Sequence, residues 1–175
     1  MLGRWLDQRK TRRALHKLNS SIKIEGDVKV IGPISHLTLG DEVHFADGLY
    51  LHLGGMDWCE YQGYLHIGDH SHIGPQVVIY GTGPFGIHIG THFDCGPGVR
   101  IFSSKTNMKT FDKRDFDKVT IGNYVTLYAN VVVSPGVKIG DHAVIAANST
   151  VTTNIPAHAF YGGNPARLIR SEVRP

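Results

Sequence analysis

The apolar positions of this chain recur every sixth residue over most of its length. The sixes begin at Ile67, Ile73, Ile79, Ile89, Cys95, Ile101, Ile121, Leu127, Val133, Ile139, Ile145 and Val151. Gly follows six of these twelve, and the fifth position is small or branched, as at Ser71, Val77, Val99, Val125, Val131, Val137, Ala143 and Ser149. A weaker version starts at Ile24, Val30, Leu39, Phe45 and Leu51. A helix requires apolar residues three and four apart, and a simple half-buried strand alternates by two. A strict six with two inward positions instead describes short strands joined by corners. Three such sides close one coil, and stacked coils pair their backbones about 4.8 Å apart. Each coil then buries its inward residues against its neighbours, as in other repeat folds.

Grouping the sixes in threes locates the breaks in the pattern. Interruptions follow Leu51, Ile79 and Ile101, and they comprise residues 52–66, 80–88 and 102–120. Each comes at the same point of its coil, so all three are expected to leave one corner, one above another. They carry polar and aromatic residues, among them Asp57, Trp58, Glu60, Tyr61, Tyr64, His66, His88, Lys105 and Asn107. Loops on a rigid scaffold are where binding and catalytic groups concentrate.

Composition narrows the class. Gly is frequent, at 21 of 175 residues, and charged residues are few, which favours tight turns over long exposed helices. Residues 1–20 hold six basic groups against one acid, whereas the remaining chain holds 12 against 14. The main body is therefore no polycation, and no nucleic-acid partner is expected. Two cysteines, Cys59 and Cys95, form no disulfide framework or metal knuckle and suit a reducing compartment. The N-terminus lacks the apolar core of a secretory signal, and no run of 18 apolar residues spans a membrane, so a cytoplasmic location is expected. The basic segment Leu2–Leu18 reads as partly helical. It either caps the open edge of the first coil or makes weak peripheral contact with anionic lipid.

The hexapeptide pattern, together with "IAANSTVTTNIPAHAFYGGNPARLIR" at 145–170, resembles the hexapeptide-repeat acyltransferase family over residues 22–170. The similar branch contains maltose, galactoside and xenobiotic acetyltransferases and the O-acetyltransferases of capsule and lipopolysaccharide synthesis. The resemblance implies a mainly β fold: a left-handed parallel β-helix with a short N-terminal helix and loop excursions from one corner. The expected segments are 1–20 (basic helix), 21–155 (β-helix) and 156–175 (tail). It further implies a homotrimer with sites between subunits, and acetyl transfer from acetyl-CoA to a hydroxyl or amine. The acceptor would be a sugar, free or nucleotide- or lipid-linked, in surface polysaccharide biosynthesis.

Family residues carry over unevenly. The acetyl-CoA contacts correspond to Ala129, Ala147, Thr152, Thr153, Arg167 and Arg170, where small side chains admit the pantetheine and Arg offers forked donors to phosphate. The usual Lys is replaced by Thr153. Acceptor contacts that are Tyr and Asn in galactoside- and maltose-type enzymes fall on His72 and Gly74. The catalytic His falls on Thr106, whose hydroxyl is too weakly basic for general-base work, and no His lies between His92 and His142. Three readings stay open: a displaced base, foremost His88 one coil below; an amine acceptor needing only positioning; or a non-catalytic protein that binds a sugar or a partner. A zinc enzyme is disfavoured, because His70, His92 and His142 share the fourth, corner position of their sixes and no ligand spacing appears.

Overall fold

A computed structural model describes residues 8–55 and 63–172. Asp57, Trp58, Cys59, Glu60 and Tyr61, and the first seven residues, lie outside the described residues. The repeat closes as its spacing predicts, into a parallel β-helix, left-handed as the family resemblance implies, with one α-helix among the described residues, Gln8–Leu18. Three sheets form the sides of a prism. Sheet A stacks Lys23–Ile24, His44–Phe45, His72–Ile73, Asp94–Cys95, Thr126–Leu127, Val144–Ile145 and Ala159–Gly162 in parallel. Sheet B stacks Val28–Ile31, Leu49–His52, Val78–Tyr80, Arg100–Phe102, Val132–Val133 and Thr150–Val151. Sheet C stacks Leu37–Leu39, Leu65–Ile67, Ile87–Ile89, Val119–Ile121 and Lys138–Ile139, continued by a bridge from Ile139 to Ile155. The chain passes A, B, C through six coils.

The period of six is explained by what points inward. All twelve first positions are at most 1 % exposed, and the fifth positions from Ser71 to Ser149 at most 2 %. Residues on either side of a first position point out. Backbone amides bond to neighbouring coils, many of them to the coil above, for example His72 N to Phe93 O at 2.7 Å and Asp94 N to Val125 O at 3.0 Å. Cys95 belongs to this core, where burial pushes its thiol up to about 12 and leaves it no role as a nucleophile.

Corners demand a left-handed residue, and side chains occupy several of these places. His70, His92, Tyr124, His142 and His158, at the corner between sheets C and A, have φ between 54° and 58°. That conformation costs roughly 1–2 kcal/mol for a residue with a Cβ. Two interactions offset it. Each corner amide from His92 to His158 bonds to a carbonyl one coil below, as in Tyr124 N to Thr91 O at 2.9 Å. The five rings also pack in sequence, centroids 4.4–4.9 Å apart, the last four of them stacked. The corner role expected for His70, His92 and His142 is what the structure shows.

The described part of the N-terminal helix lies against the first coil. Leu15 is fully buried in the core, the Gln8 side chain accepts from Val28 N at 3.2 Å, and Asn19 Nδ2 donates to Gly40 O at 2.9 Å. At the other end, two strands form within the segment expected as a tail. Ala159–Gly162 joins sheet A, and Arg167–Ser171 returns antiparallel beside it after a turn at Gly163 (φ 101°).

Ile101→Ala should cost about 2–5 kcal/mol in urea denaturation, because the coils above and below hold the cavity open. Met108→Ala, in an exposed loop, should change stability by under about 0.5 kcal/mol.

Candidate functional site

The three expected excursions leave the end of sheet B and return to sheet C, stacked at one corner as the sequence predicts. A fourth, shorter one at residues 32–36, with a 3-10 turn at Ile34–His36, was not legible in the sequence. The bases of the excursions interlock. Ser103 Oγ lies 2.9 Å from Tyr80 O and 2.7 Å from Thr82 O, and Thr82 Oγ1 donates to Ser104 Oγ at 2.8 Å. The ring of Phe116 packs on Gly83 so closely that a Cβ there would meet it at 2.1 Å. Beyond this base the longest excursion becomes a hairpin, Ser104–Thr106 antiparallel to Arg114–Phe116. Asn107 closes its tip, accepting from Lys109 N at 2.9 Å and donating to Asp115 Oδ1 at 2.8 Å.

Thr106 lies exposed on this hairpin, in register with Arg114. The relation to His88 expected from the repeat is thus altered. The residue paired with His88 one coil above is Thr120, because the chain has already left the coil at Thr106. His88 stands on the outer face of sheet C in a column with Thr38, His66, Thr120 and Lys138. Its ring stacks on that of His66, centroids 4.5 Å apart and planes within 5°.

Two concavities meet at His88. A groove of about 730 Å³ runs from it past Thr120, Asn123 and Lys138 to Asn154 and Pro156. A smaller cavity of about 250 Å³ lies below, lined by His36, Tyr64, His66, Phe85 and Lys118. Partial burial, then His66, then Lys118 hold the His88 imidazole below its ordinary range, so it is neutral at pH 7 and able to accept a proton.

The expected cofactor residues lie elsewhere. Ala129 and Ala147 sit one coil apart on the corner between sheets A and B, with Asn148 N bonding to Ala129 O at 2.9 Å. Arg167 and Arg170 are exposed on the last strand of sheet A. Thr152 and Thr153 turn the corner from B to C in the sixth coil. None of the six lines the groove beside His88. Among the described residues no three His, Cys, Asp or Glu side chains come together to hold a metal ion.

Three features escaped the sequence reading. Sheet B carries an outward aromatic cluster of Tyr50, His52, Tyr80 and Phe102, with successive rings 4.8–6.3 Å apart. Burial, reinforced by the hydrogen bond to Tyr80, pushes the Tyr50 hydroxyl up to about 12. The five-ring corner ladder is the second. The third is on sheet A, where His72 Nδ1 lies 2.9 Å from Asp94 Oδ1 and the His72 ring packs on His44, centroids 4.9 Å apart. Apart from Tyr50, whose register partner is Val78, residues that face each other in these groups stand in the same place of successive coils. Stacking the sixes in threes would have paired them.

Comparison with known proteins identifies the class. The bacterial transferase hexapeptide (six repeats) family matches residues 118–153. WcaF of Escherichia coli K12, assigned by name to colanic acid biosynthesis as an acetyltransferase, is 32 % identical over 163 residues. That match covers 90 % of this chain and 70 % of WcaF. The chain belongs to the hexapeptide-repeat acyltransferase family. Galactoside O-acetyltransferase of Escherichia coli K12 is 50 % identical over 52 residues, 30 % of this chain and 26 % of that enzyme. Matches at this higher identity span under a third of the relatives' own length. In structure, a variant of AntD, an N-acyltransferase from Bacillus cereus crystallised with dTDP and coenzyme A, superposes with a TM-score of 0.74. It is 19 % identical and covers 99 % of this chain and 93 % of its own, a likeness of fold.

NMR titration of the imidazoles should place the His88 midpoint below 6.5. Lys118→Met should move it upward, because one of the charges opposing protonation is gone. A midpoint depressed on folding means that His88 supports the folded state at neutral pH. Its contribution fades as the pH falls through that midpoint.

Proposed function

We propose that this protein transfers an acetyl group from acetyl-CoA to a hydroxyl or amine of a sugar. The observation that supports it most is the match to WcaF along 163 residues, which covers 90 % of this chain. AntD adds the company of coenzyme A and a nucleotide on the same fold. Surface polysaccharide synthesis is the setting this relationship favours, with a free, nucleotide-linked or lipid-linked sugar as acceptor. The assembly proposed is a homotrimer with sites between copies.

In this reading acetyl-CoA lies along the edge marked by Ala129 and Ala147. Small side chains there let the pantetheine approach the backbone, and Arg167 and Arg170 hold the phosphates through charge-assisted bonds. Thr152 and Thr153 border the last coil as further hydroxyl donors. Thr106 occupies the family's base position without the chemistry for it. Of the two catalytic candidates, Thr106 and His88, His88 is the one able to accept a proton, and it reaches an acceptor from sheet C of a neighbouring copy. Among the described residues no helix is long and apolar enough to cross a membrane. Weak lipid contact through residues 1–20 stays a proposal beside the cap seen for Gln8–Leu18. The non-catalytic alternative, a sugar- or partner-binding protein, draws its support from Thr106 alone.

Acetyl-CoA at 100 times its Kd should stabilise the protein by about 2.7 kcal/mol. For a chain of this size that raises Tm by roughly 5–10 °C. No shift at millimolar acetyl-CoA would remove the transferase reading. His88→Ala should lower transfer by about 10²–10⁴-fold if His88 is the base. Thr106→His creating activity that the parent lacks would show instead that the natural chain has lost its base.

A further inference from the structure

The outer face of sheet A carries a row of facing ionisable groups in its early coils. Glu25 Oε1 lies 3.1 Å from His44 Nε2, the His44 ring packs on His72, and His72 Nδ1 lies 2.9 Å from Asp94 Oδ1. His44, His72 and Asp94 occupy one register position of successive strands, followed by Thr126. An ionised carboxylate only accepts hydrogen bonds, so the proton between His72 and Asp94 is on Nδ1. The neutral ring therefore keeps its lone pair on Nε2. The His72 side chain is 45 % exposed and that of Asp94 57 %, so a substrate can approach the pair. A carboxylate that fixes a histidine tautomer and leaves Nε2 free is the arrangement that serves general bases.

Two other His–carboxylate contacts are worse placed. His44 meets Glu25 through Nε2 itself. His70, 3.0 Å from Glu42, belongs to the ring ladder at the corner between sheets C and A. His72 and Asp94 instead share a sheet with the proposed donor edge. Ala129 and Ala147 lie just past the Thr126–Leu127 and Val144–Ile145 strands of that sheet, and Arg167 and Arg170 are on its last strand. From that last strand to His72 there are five strand spacings, about 24 Å at ~4.8 Å each. Coenzyme A, extended from its 3′-phosphate through its diphosphate to its sulfur, covers such a distance. With its phosphates at the two arginines and its arm running down the edge, acetyl-CoA delivers its thioester to the early coils of sheet A.

We propose that His72, positioned by Asp94, is the base of the transfer, on the same face of the same chain as the donor. The inference rests on the acetyl-transfer reading and competes with His88 for one role. Nε2 of His72 takes the proton from the acceptor hydroxyl or amine as its oxygen or nitrogen bonds to the thioester carbonyl carbon. The tetrahedral intermediate collapses with cleavage of the C–S bond. The proton on Nε2 passes to the departing sulfur, leaving CoA as a free thiol and His72 neutral. His72 is the catalytic residue; Asp94 acts through it as a positioning residue.

The test is an NMR titration of the full chain, with labelled histidine and acetyl-CoA as the probe. The expected result is a saturable shift of the His72 resonances, with those of His70 unmoved. Nitrogen shifts should show His72 protonated on Nδ1 in the parent and a mixture of tautomers in Asp94→Asn. Thiol release with D-glucosamine as a trial acceptor should fall at least 10²-fold in His72→Ala and stay within threefold in His70→Ala. In Asp94→Asn it should fall by up to about 10⁴-fold, with an altered pH profile. Acetyl-CoA that raises Tm but leaves His72 unmoved, or moves His88 in its place, overturns this proposal and spares the transferase reading. Acetyl-CoA that neither raises Tm nor moves any histidine removes that reading and this proposal together.

Discussion

Everything on this molecule depends on the stacking of coils over a filled interior. Ile, Val and Leu at the first and fifth positions leave no room inside for chemistry. Backbone bonds from coil to coil hold the register over all three sheets. A side chain facing outward then has a fixed neighbour: the residue in the same place one coil away, about 4.8 Å distant. This constraint makes ladders. Identical or aromatic residues at one place stack, as His66 on His88 and Tyr124 on His142. A hydrogen-bond donor and an acceptor at one place pair, as His72 with Asp94. Stacking and pairing recur because the scaffold imposes the spacing before any side chain contributes.

Function on such a prism is confined to its faces, its edges and the places where the chain leaves the coil. The interlocked excursions between sheets B and C give a firm base with an exposed hairpin beyond it, and they border the concavities at His88. The proposed donor edge lies across the prism, where sheet A meets sheet B and ends in Arg167 and Arg170. One chain does not bring His88 to that edge. A site that uses His88 needs a second copy to supply sheet C, whereas a site that uses His72 has its base and donor on one face. The two assignments differ in which surfaces must meet, and so in how far transfer depends on assembly.

The fold was legible because its signal is redundant. Twelve first positions repeat one requirement, and the single corner of the excursions follows from counting sixes in threes. The site was less legible, for two reasons. Excursions of unequal length break the constant offset between stacked residues: His72 and Asp94 are 22 apart and Thr126 a further 32, although all three share one register position. A search at a fixed spacing of 18 therefore passes over the pair. Nor does position in the chain convey where a hairpin leads. Thr106 follows the last coil residue closely, yet it stands on the arm, and Thr120 takes the place above His88. Both residues that matter in the sheet A pair precede a first position, His72 before Ile73 and Asp94 before Cys95, which is the signal that would have joined them.

A crystal structure of the protein with coenzyme A tests the central claim most directly, that donor and base share sheet A. The account predicts the phosphates at Arg167 and Arg170, the pantetheine against Ala147 and Ala129, and the sulfur beside His72 and Asp94. Coenzyme A lying instead along the sheet C groove, with its sulfur at His88 and its arm beside Lys138, would contradict it.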